Sequence, residues 1–402
     1  MLANGEPGDS NCSLSNKGEV REVVAMTCVV DSTWVLTSYG PRQVKDLAGH
    51  PFTAILDGKP YDTLSNGFFK TSTKDVVKLR TSEGFEVRLT ADHKVLTYVP
   101  KSSRYAGDAR EEWVTAGDLQ AGALVCLGDN LGAAWSGQGT EGEGYVLGQL
   151  VGDGTFDPNE KRAAVAVWDT DPGNEAIRDY LYEQVKQLGT RSDFKGWRRV
   201  SQSDQYRLNT AGIRALAAKF GIARGRKTVT PQVEMASSNF YRGFLRGLFD
   251  ADGHIEGASI AGGVSVRLTS IDSPALHAVQ RMLARIGIRS AVRNLKPEQI
   301  TDWGPRGGEY MSRSSYRLII TGEQAARFMR EVGFLNSAKA AKWEELTKGM
   351  KRGFYAKPFV ATVASVEPDG SEDVYDVAVS EVHAFDGNGI VLHNCGEIAH
   401  MP

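Results

Sequence analysis

Residues 145–154 read YVLGQLVGDG and residues 244–253 read FLRGLFDADG. Each is an apolar run of helical character closed by an acidic turn, and the pair decides how the chain is organised. Gly148 and Gly152 stand four residues apart in the first copy, Gly247 and Ala251 in the second. Small residues at that spacing share one helix face and let two backbones approach closely. Packed through those faces, the helices would bring Asp153 and Asp252 together at their C-terminal ends. Adjacent carboxylates repel unless a cation lies between them, and hard divalent ions such as magnesium prefer oxygen ligands of this kind. The pair therefore points to metal-assisted hydrolysis of a phosphodiester. Taken singly, each aspartate reads equally well as a turn residue beside Gly154 or Gly253.

The sequence around the two runs also repeats. YRLNTAGIRALAAKFGIA from Tyr206 is echoed by YRLIITGEQAARFMREVGFL from Tyr316, and NEAIRDYLYEQVKQLGTRS by SPALHAVQRMLARIGIRS. Ordered correspondences of this sort imply two similar halves and a pseudo-two-fold axis. Outside this block the texture changes. Residues 28–128 alternate short β-rich runs with Gly and Pro turns, and FVATVASVEPDGSEDVYDVAVSEVHAFDGNGIVLHN near the end does the same. Two β-rich pieces flanking a mixed helix-and-strand block suggest one β domain interrupted by an insertion, which exposed loop tips tolerate.

Composition sets the limits. The chain has 402 residues, 41% of them apolar and 24% charged, with a net charge of −2. That is a globular protein of two to three domains. No apolar run approaches the roughly 18 residues of a membrane span, and the first residues lack a signal-peptide pattern, so a cytoplasmic protein is expected. Nucleic-acid binding would have to use local basic runs such as FKGWRRVS, ARGRK and RMLARIGIRSAVRNLK, which by themselves read first as solvated helix faces. Cys12, Cys28, Cys126 and Cys395 are too scattered for a disulfide framework or a metal cluster.

The paired acidic segments resemble the LAGLIDADG motifs of homing endonucleases, over roughly residues 140–350. The resemblance implies two αββαββα repeats forming a saddle over double-stranded DNA. It makes Asp153 and Asp252 ligands of Mg2+ or Mn2+, and the chain a monomer on its target. Lys227, in GRKTVTPQV, takes the place of a basic residue often found before the second motif, although Thr230 stands where that family usually has proline.

The β-rich flanks resemble the two halves of an intein, a self-splicing Hint domain of horseshoe-like all-β fold. Cys28 followed by VVDSTWVLT, LTADHKVLT with Thr90 and His93, VYDVAVSEVHAFDGNGIVLHN with Asp376 and His383, and the terminal His393, Asn394 and Cys395 carry the likeness. The residue types suit the chemistry. A thiol at Cys28 attacks the Thr27 carbonyl, and a near-neutral His93 protonates the leaving nitrogen while Thr90 hydrogen-bonds around the same peptide. Cys395 then takes over the acyl group. The Asn394 side chain cyclises on its own carbonyl, assisted by His393 and His383, and Asp376 couples the two cleavages by the same resemblance. Splicing of this kind needs no cofactor. Cys12 and Cys126 match no motif position.

These readings divide the chain into an upstream extein flank 1–27, Hint parts 28–135 and 351–394 around an endonuclease at 136–350, and a downstream flank 395–402. Through NGEPG and CGEI the joined flanks resemble an adenosylcobalamin-dependent ribonucleotide reductase, with Met26 and Thr27 where that family has Asn and Pro. The expected DNA target is the host gene without the intein. Two alternatives stay open: a Hint domain that cleaves without ligating, against which Cys395 argues, and a splicing element whose central block is an inactive DNA-binding relic.

Overall fold

The protein is described here by a computed structural model covering residues 28–101, 108–168, 172–190, 192, 194–257, 263–302, 309–348, 354–355 and 357–394. The flanks 1–27 and 395–402, and with them Thr27 and Cys395, lie outside the described residues.

The two β-rich ends of the chain fold as one unit, because the 17-residue strand Val360–Asp376 inserts between strands from the start of the chain. It pairs antiparallel with Phe69–Thr81 on one side and Leu124–Cys126 on the other, and its end reaches Val29–Val30, where Val29 faces Tyr375. Inward side chains alternate as a half-buried sheet requires: Val87 and Leu89 in one strand, Val95 and Thr97 in another, are all buried. The closing hairpin, Ala384–Gly387 with Ile390–His393, joins this sheet where Leu392 pairs with Val95. The sheet thus carries both Cys28, just ahead of its first strand, and His393, at the end of its last.

The inserted block has the expected repeat. The helix Glu141–Asp153 opens a sheet with strands ordered Thr155–Phe156, Ala163–Trp168, Gln205–Thr210, Arg198–Arg199. The helix Ser238–Asp252 opens a second sheet in the same relative order, Gly253–Glu256, Ser265–Ser270, Ser315–Thr321, Ala291–Lys296. Each repeat is αββαββα, the second extended by the hairpin Gln299–Asp302 with Glu309–Ser312. Local sequence starts both helices. Thr140 and Glu143 form a reciprocal capping box on the first, and the Ser237 hydroxyl accepts from the Phe240 N–H on the second.

The two helices pack backbone to backbone. A Cβ built on Gly144 or Gly148 would collide with the Phe240 or Phe244 carbonyl, and one on Gly243 or Gly247 with the Glu141 or Tyr145 carbonyl. The close approach expected at Gly148 and Gly247 therefore extends a full turn further, to Gly144 and Gly243. Among the described residues no helix is long and apolar enough to cross a membrane.

The units are fastened to each other. Trp135 Nε1 donates to the Ala236 carbonyl at 2.9 Å, Arg289 to the Val360 carbonyl at 2.7 Å, and Gln280 to the Glu83 carbonyl at 2.7 Å. Arg327 grips both carboxylate oxygens of Asp129 at 2.8 and 2.9 Å.

Candidate functional site

At the first constellation, Cys28 is fully buried before the strand Val29–Val30. Its N–H donates to Thr90 Oγ1 at 3.1 Å, and the Thr90 N–H returns a bond to the Cys28 carbonyl at 3.0 Å. The His93 N–H donates to the Thr90 carbonyl at 3.0 Å, so a tight turn holds His93 beside Cys28. The Cys28 thiol meets Thr71 Oγ1 at 3.1 Å, and the Thr71 hydroxyl also lies 3.1 Å from the Val374 carbonyl, which only accepts. Burial pushes the thiol up to about 11, with the neighbouring Asp376 charge adding to the rise and the Thr71 contact opposing it. Asp376 is itself buried at the end of the long strand, with one carboxylate oxygen held by the Val377 N–H at 2.8 Å. Thr71 was not singled out in the sequence. It reaches Cys28 through sheet pairing alone, and no local motif marks it.

His93 is buried near the backbone of both Cys28 and His393, its ring nitrogens without a hydrogen-bond partner among the described residues. Burial drives its pKa down to about 4. This corrects the near-neutral ring expected from sequence: at pH 7 His93 is a neutral imidazole, poised to accept a proton before it gives one. His393 is half-buried, lowered by burial, and packs edge-on against Trp113 with ring centres 4.9 Å apart. Asn394 is fully buried, and its N–H donates to the His383 carbonyl at 3.0 Å. His383 has a left-handed backbone, φ 49°, unusual for a residue with a side chain and held here by the hairpin entry. The structure thus brings Cys28, Thr90, His93, Asp376, His383, His393 and Asn394 to one end of the β unit, while Cys126 lies buried in its strand, pushed up to about 12 by burial.

The second constellation sits where the paired helices end. A Cβ built on Gly152 would lie 3.3 Å from Asp252 Oδ2, and Asp153 and Asp252 repel each other. Burial first, and then Asp153, push Asp252 up to about 6. Lys227 Nζ donates to the carbonyls of Gly152 and Gly154 at 2.7 and 3.0 Å, where both carboxylates act on it. A second lysine, Lys339, does the same for the other helix, donating to the Phe249 and Asp250 carbonyls at 3.1 and 2.6 Å. Sequence reading missed it, yet a signal was there. Each lysine stands eight residues past the closing helix of its repeat, from 219 to 227 and from 331 to 339. Asp250, two residues before Asp252, is structural: it accepts from Tyr145 and from the Leu335 and Asn336 N–H groups. Two close carboxylates, one held above its ordinary range, make a hard oxygen donor set that suits a divalent cation.

Residues 239–333 match the family model described as a LAGLIDADG-like domain. With the sheet topology this gives the inserted block the paired-repeat architecture of a LAGLIDADG-like domain, set within a β unit built from both ends of the chain. Among particular relatives, the chain is 24% identical over 409 residues to the ribonucleoside-diphosphate reductase NrdEB subunit alpha of Bacillus subtilis (strain 168), covering 92% of this chain and 36% of that one. It is 28% identical over 255 residues to a DNA polymerase of Thermococcus litoralis, covering 62% of this chain and 14% of that one. The chain thus spans little more than a third of the length of the reductase subunit it matches. Among solved structures, variants of the homing endonuclease I-DmoI are similar at 14% identity and a TM-score of 0.33, over 48% of this chain and 95% of theirs.

Proposed function

We propose that the chain excises Cys28–Asn394 and joins its two flanks, and that the inserted unit cuts double-stranded DNA. The observation that carries the splicing reading is His93, buried near the backbone of both Cys28 and His393. One imidazole thereby serves two junctions that are far apart in sequence. The neutral ring takes the Cys28 thiol proton as sulfur attacks the Thr27 carbonyl, then passes that proton to the Cys28 nitrogen as the C–N bond breaks. Thr90 holds that nitrogen in place. The Cys395 thiol attacks the resulting thioester and releases the Cys28 thiol. The Asn394 side-chain nitrogen then closes on its own carbonyl, freeing the Cys395 amine, with His393 moving the proton and the His383 carbonyl fixing the Asn394 backbone. The amine finally takes the acyl group from sulfur, giving a peptide bond between Thr27 and Cys395. Asp376, close enough to act on the Cys28 thiol, links the two halves of the sequence.

In the inserted unit, Asp153 and Asp252 would hold magnesium or manganese, which when bound activates water and stabilises the leaving oxygen. Lys227 and Lys339 fix the helix ends that present the two carboxylates. Both repeats lie in one chain, so a monomer suffices and the target is asymmetric. Arginines and lysines of residues 190–300 supply phosphate contacts, and affinity falls steeply with salt. The target is the host gene lacking the insertion. The reductase match supports a ribonucleotide reductase as host, and the resemblance of the CGEI flank is what suggests the adenosylcobalamin-dependent kind. A reducing, cytoplasmic setting suits the thiols of Cys28 and Cys126, which form no disulfide among the described residues.

The test separates the junctions. An Asn394→Ala chain should release residues 1–27 with dithiothreitol, and a Cys28→Ala chain should not, while still losing residues 395–402 slowly. Thiol-induced release from the Cys28→Ala chain would contradict the assignment.

A further inference from the structure

The helix Ser273–Arg285 belongs to the inserted unit by sequence, yet its last turn is packed into the β unit. Ala284 is buried in the β unit's own core, and its methyl lies 3.9 Å from where a side chain on Gly389 would begin. Next along, Arg285 is fully buried between the units. Its Nη1 donates to Glu234 Oε2 at 3.0 Å and to the Tyr241 hydroxyl at 2.9 Å, both in the inserted block. Its guanidinium also stands 5.4 Å from the ring centre of Trp34, in the β unit.

Trp34 in turn holds the closing hairpin. Its N–H donates to Asn388 Oδ1 at 2.8 Å, and the Asn388 N–H returns to the Trp34 carbonyl at 2.9 Å. Asn388 and Gly389 both have left-handed backbones, φ 56° and 97°, as the Asn-Gly loop of a two-residue hairpin requires. At its start Asp386 is buried where the surrounding strands are apolar. Its carboxylate accepts from the Gly389 N–H at 2.6 Å and from Asn130 at 3.3 Å. Burial pushes that carboxyl up to about 6, and the Arg285 charge acts to hold it down. A buried carboxylate without a counter-charge takes up a proton or draws in water. Either change would loosen the turn that sets the register of Ile390–His393.

We propose that Arg285, supplied by the inserted unit, is a positioning residue for the C-terminal junction: it braces Trp34 and balances Asp386, and so keeps Asn394 against His383. The inserted block is then part of the splicing apparatus rather than a detachable passenger. The proposal rests on the splicing reading above and assigns to that reaction a residue its own motifs do not contain.

The experiment compares the two junctions. In the Cys28→Ala chain, loss of residues 395–402 is timed by mass spectrometry; in the Asn394→Ala chain, dithiothreitol release of residues 1–27 is timed. Adding Arg285→Met should slow the first roughly tenfold and leave the second within about twofold. Adding Asp386→Asn to Arg285→Met should restore the first to within about threefold, because the charge that needed balancing is gone. Equal slowing at both junctions, no slowing at all, or no rescue by Asp386→Asn would overturn the proposal. Should the Arg285→Met chains be insoluble, the double variant decides: soluble and active supports the proposal, equally insoluble overturns it. If the parent chains with Arg285 intact release neither fragment, the splicing reading itself falls, and this proposal with it.

Discussion

Cys28 and Thr90 hold each other by a reciprocal pair of hydrogen bonds, the Cys28 N–H to Thr90 Oγ1 at 3.1 Å and the Thr90 N–H to the Cys28 carbonyl at 3.0 Å. The nitrogen that must leave during acyl transfer is therefore fixed by a hydroxyl from 62 residues away. Thr90→Val removes that hydroxyl at nearly constant volume and strands a buried N–H, which costs about 1–3 kcal/mol. In the Asn394→Ala chain, thiol-induced release of residues 1–27 should slow by at least tenfold with Thr90→Val, while Thr90→Ser should retain most of the rate. A Thr90→Val chain as fast as its parent would remove Thr90 from the mechanism.

His93 also sets a pH limit on stability. Its folded pKa, about 4, lies below the unfolded value of 6.5, so the folded state declines a proton the unfolded state accepts. The stabilisation is fully present above pH 6.5 and is lost as pH falls through 4. A shift of this size corresponds to on the order of 3 kcal/mol. In a chain blocked by Cys28→Ala and Asn394→Ala, urea midpoints should drop between pH 6.5 and 4. Adding His93→Gln should flatten that drop. An unchanged slope would mean that another group governs acid sensitivity.

The helix pair gives a contrast within a single helix. At Gly144 a methyl group would strike the Phe240 carbonyl, a rigid backbone atom, whereas at Gly142 it would meet only the far end of the Gln184 side chain. Gly144→Ala should destabilise by about 1–3 kcal/mol through overpacking. Gly142→Ala should be neutral or gain up to about 1 kcal/mol from helix propensity. Denaturant midpoints measure both, and equal shifts would contradict the close approach.

Asp153→Asn and Asp252→Asn should each abolish magnesium-dependent cutting of the intein-less host sequence. Excision should be untouched, because the two aspartates end helices of the inserted block while Cys28 and Asn394 belong to the β unit. Gel assays of DNA and protein from the same preparations check both. Unchanged cutting would end the paired-carboxylate account, and tight binding by the parent chain without cutting would favour a relic.

The repeat was legible because Gly148, Gly247 and the two acidic turns are local, periodic features, and the grouping of Cys28, His93 and Asn394 was legible because each sits in a short run that resembles an intein motif. Thr71, Trp113 and Arg285 were not, because each meets its partner only through sheet pairing or docking between segments remote in sequence. The state of His93 was misread for a related reason. Residue type sets the ordinary pKa, but burial beneath Cys28 and His393 is a property of the assembled sheet. Lys339 lay between these cases, visible only when the repeat is followed past its last helix.

The central claim, that the two ends of the β unit form one splicing site, is tested most directly by intact mass spectrometry of the freshly expressed chain. The account predicts two products: the excised segment Cys28–Asn394 ending in a succinimide or its hydrolysed form, and a peptide in which Thr27 is bonded to Cys395. Full-length chain persisting unchanged, or both junctions cut with residues 1–27 and 395–402 left as separate fragments, would contradict it.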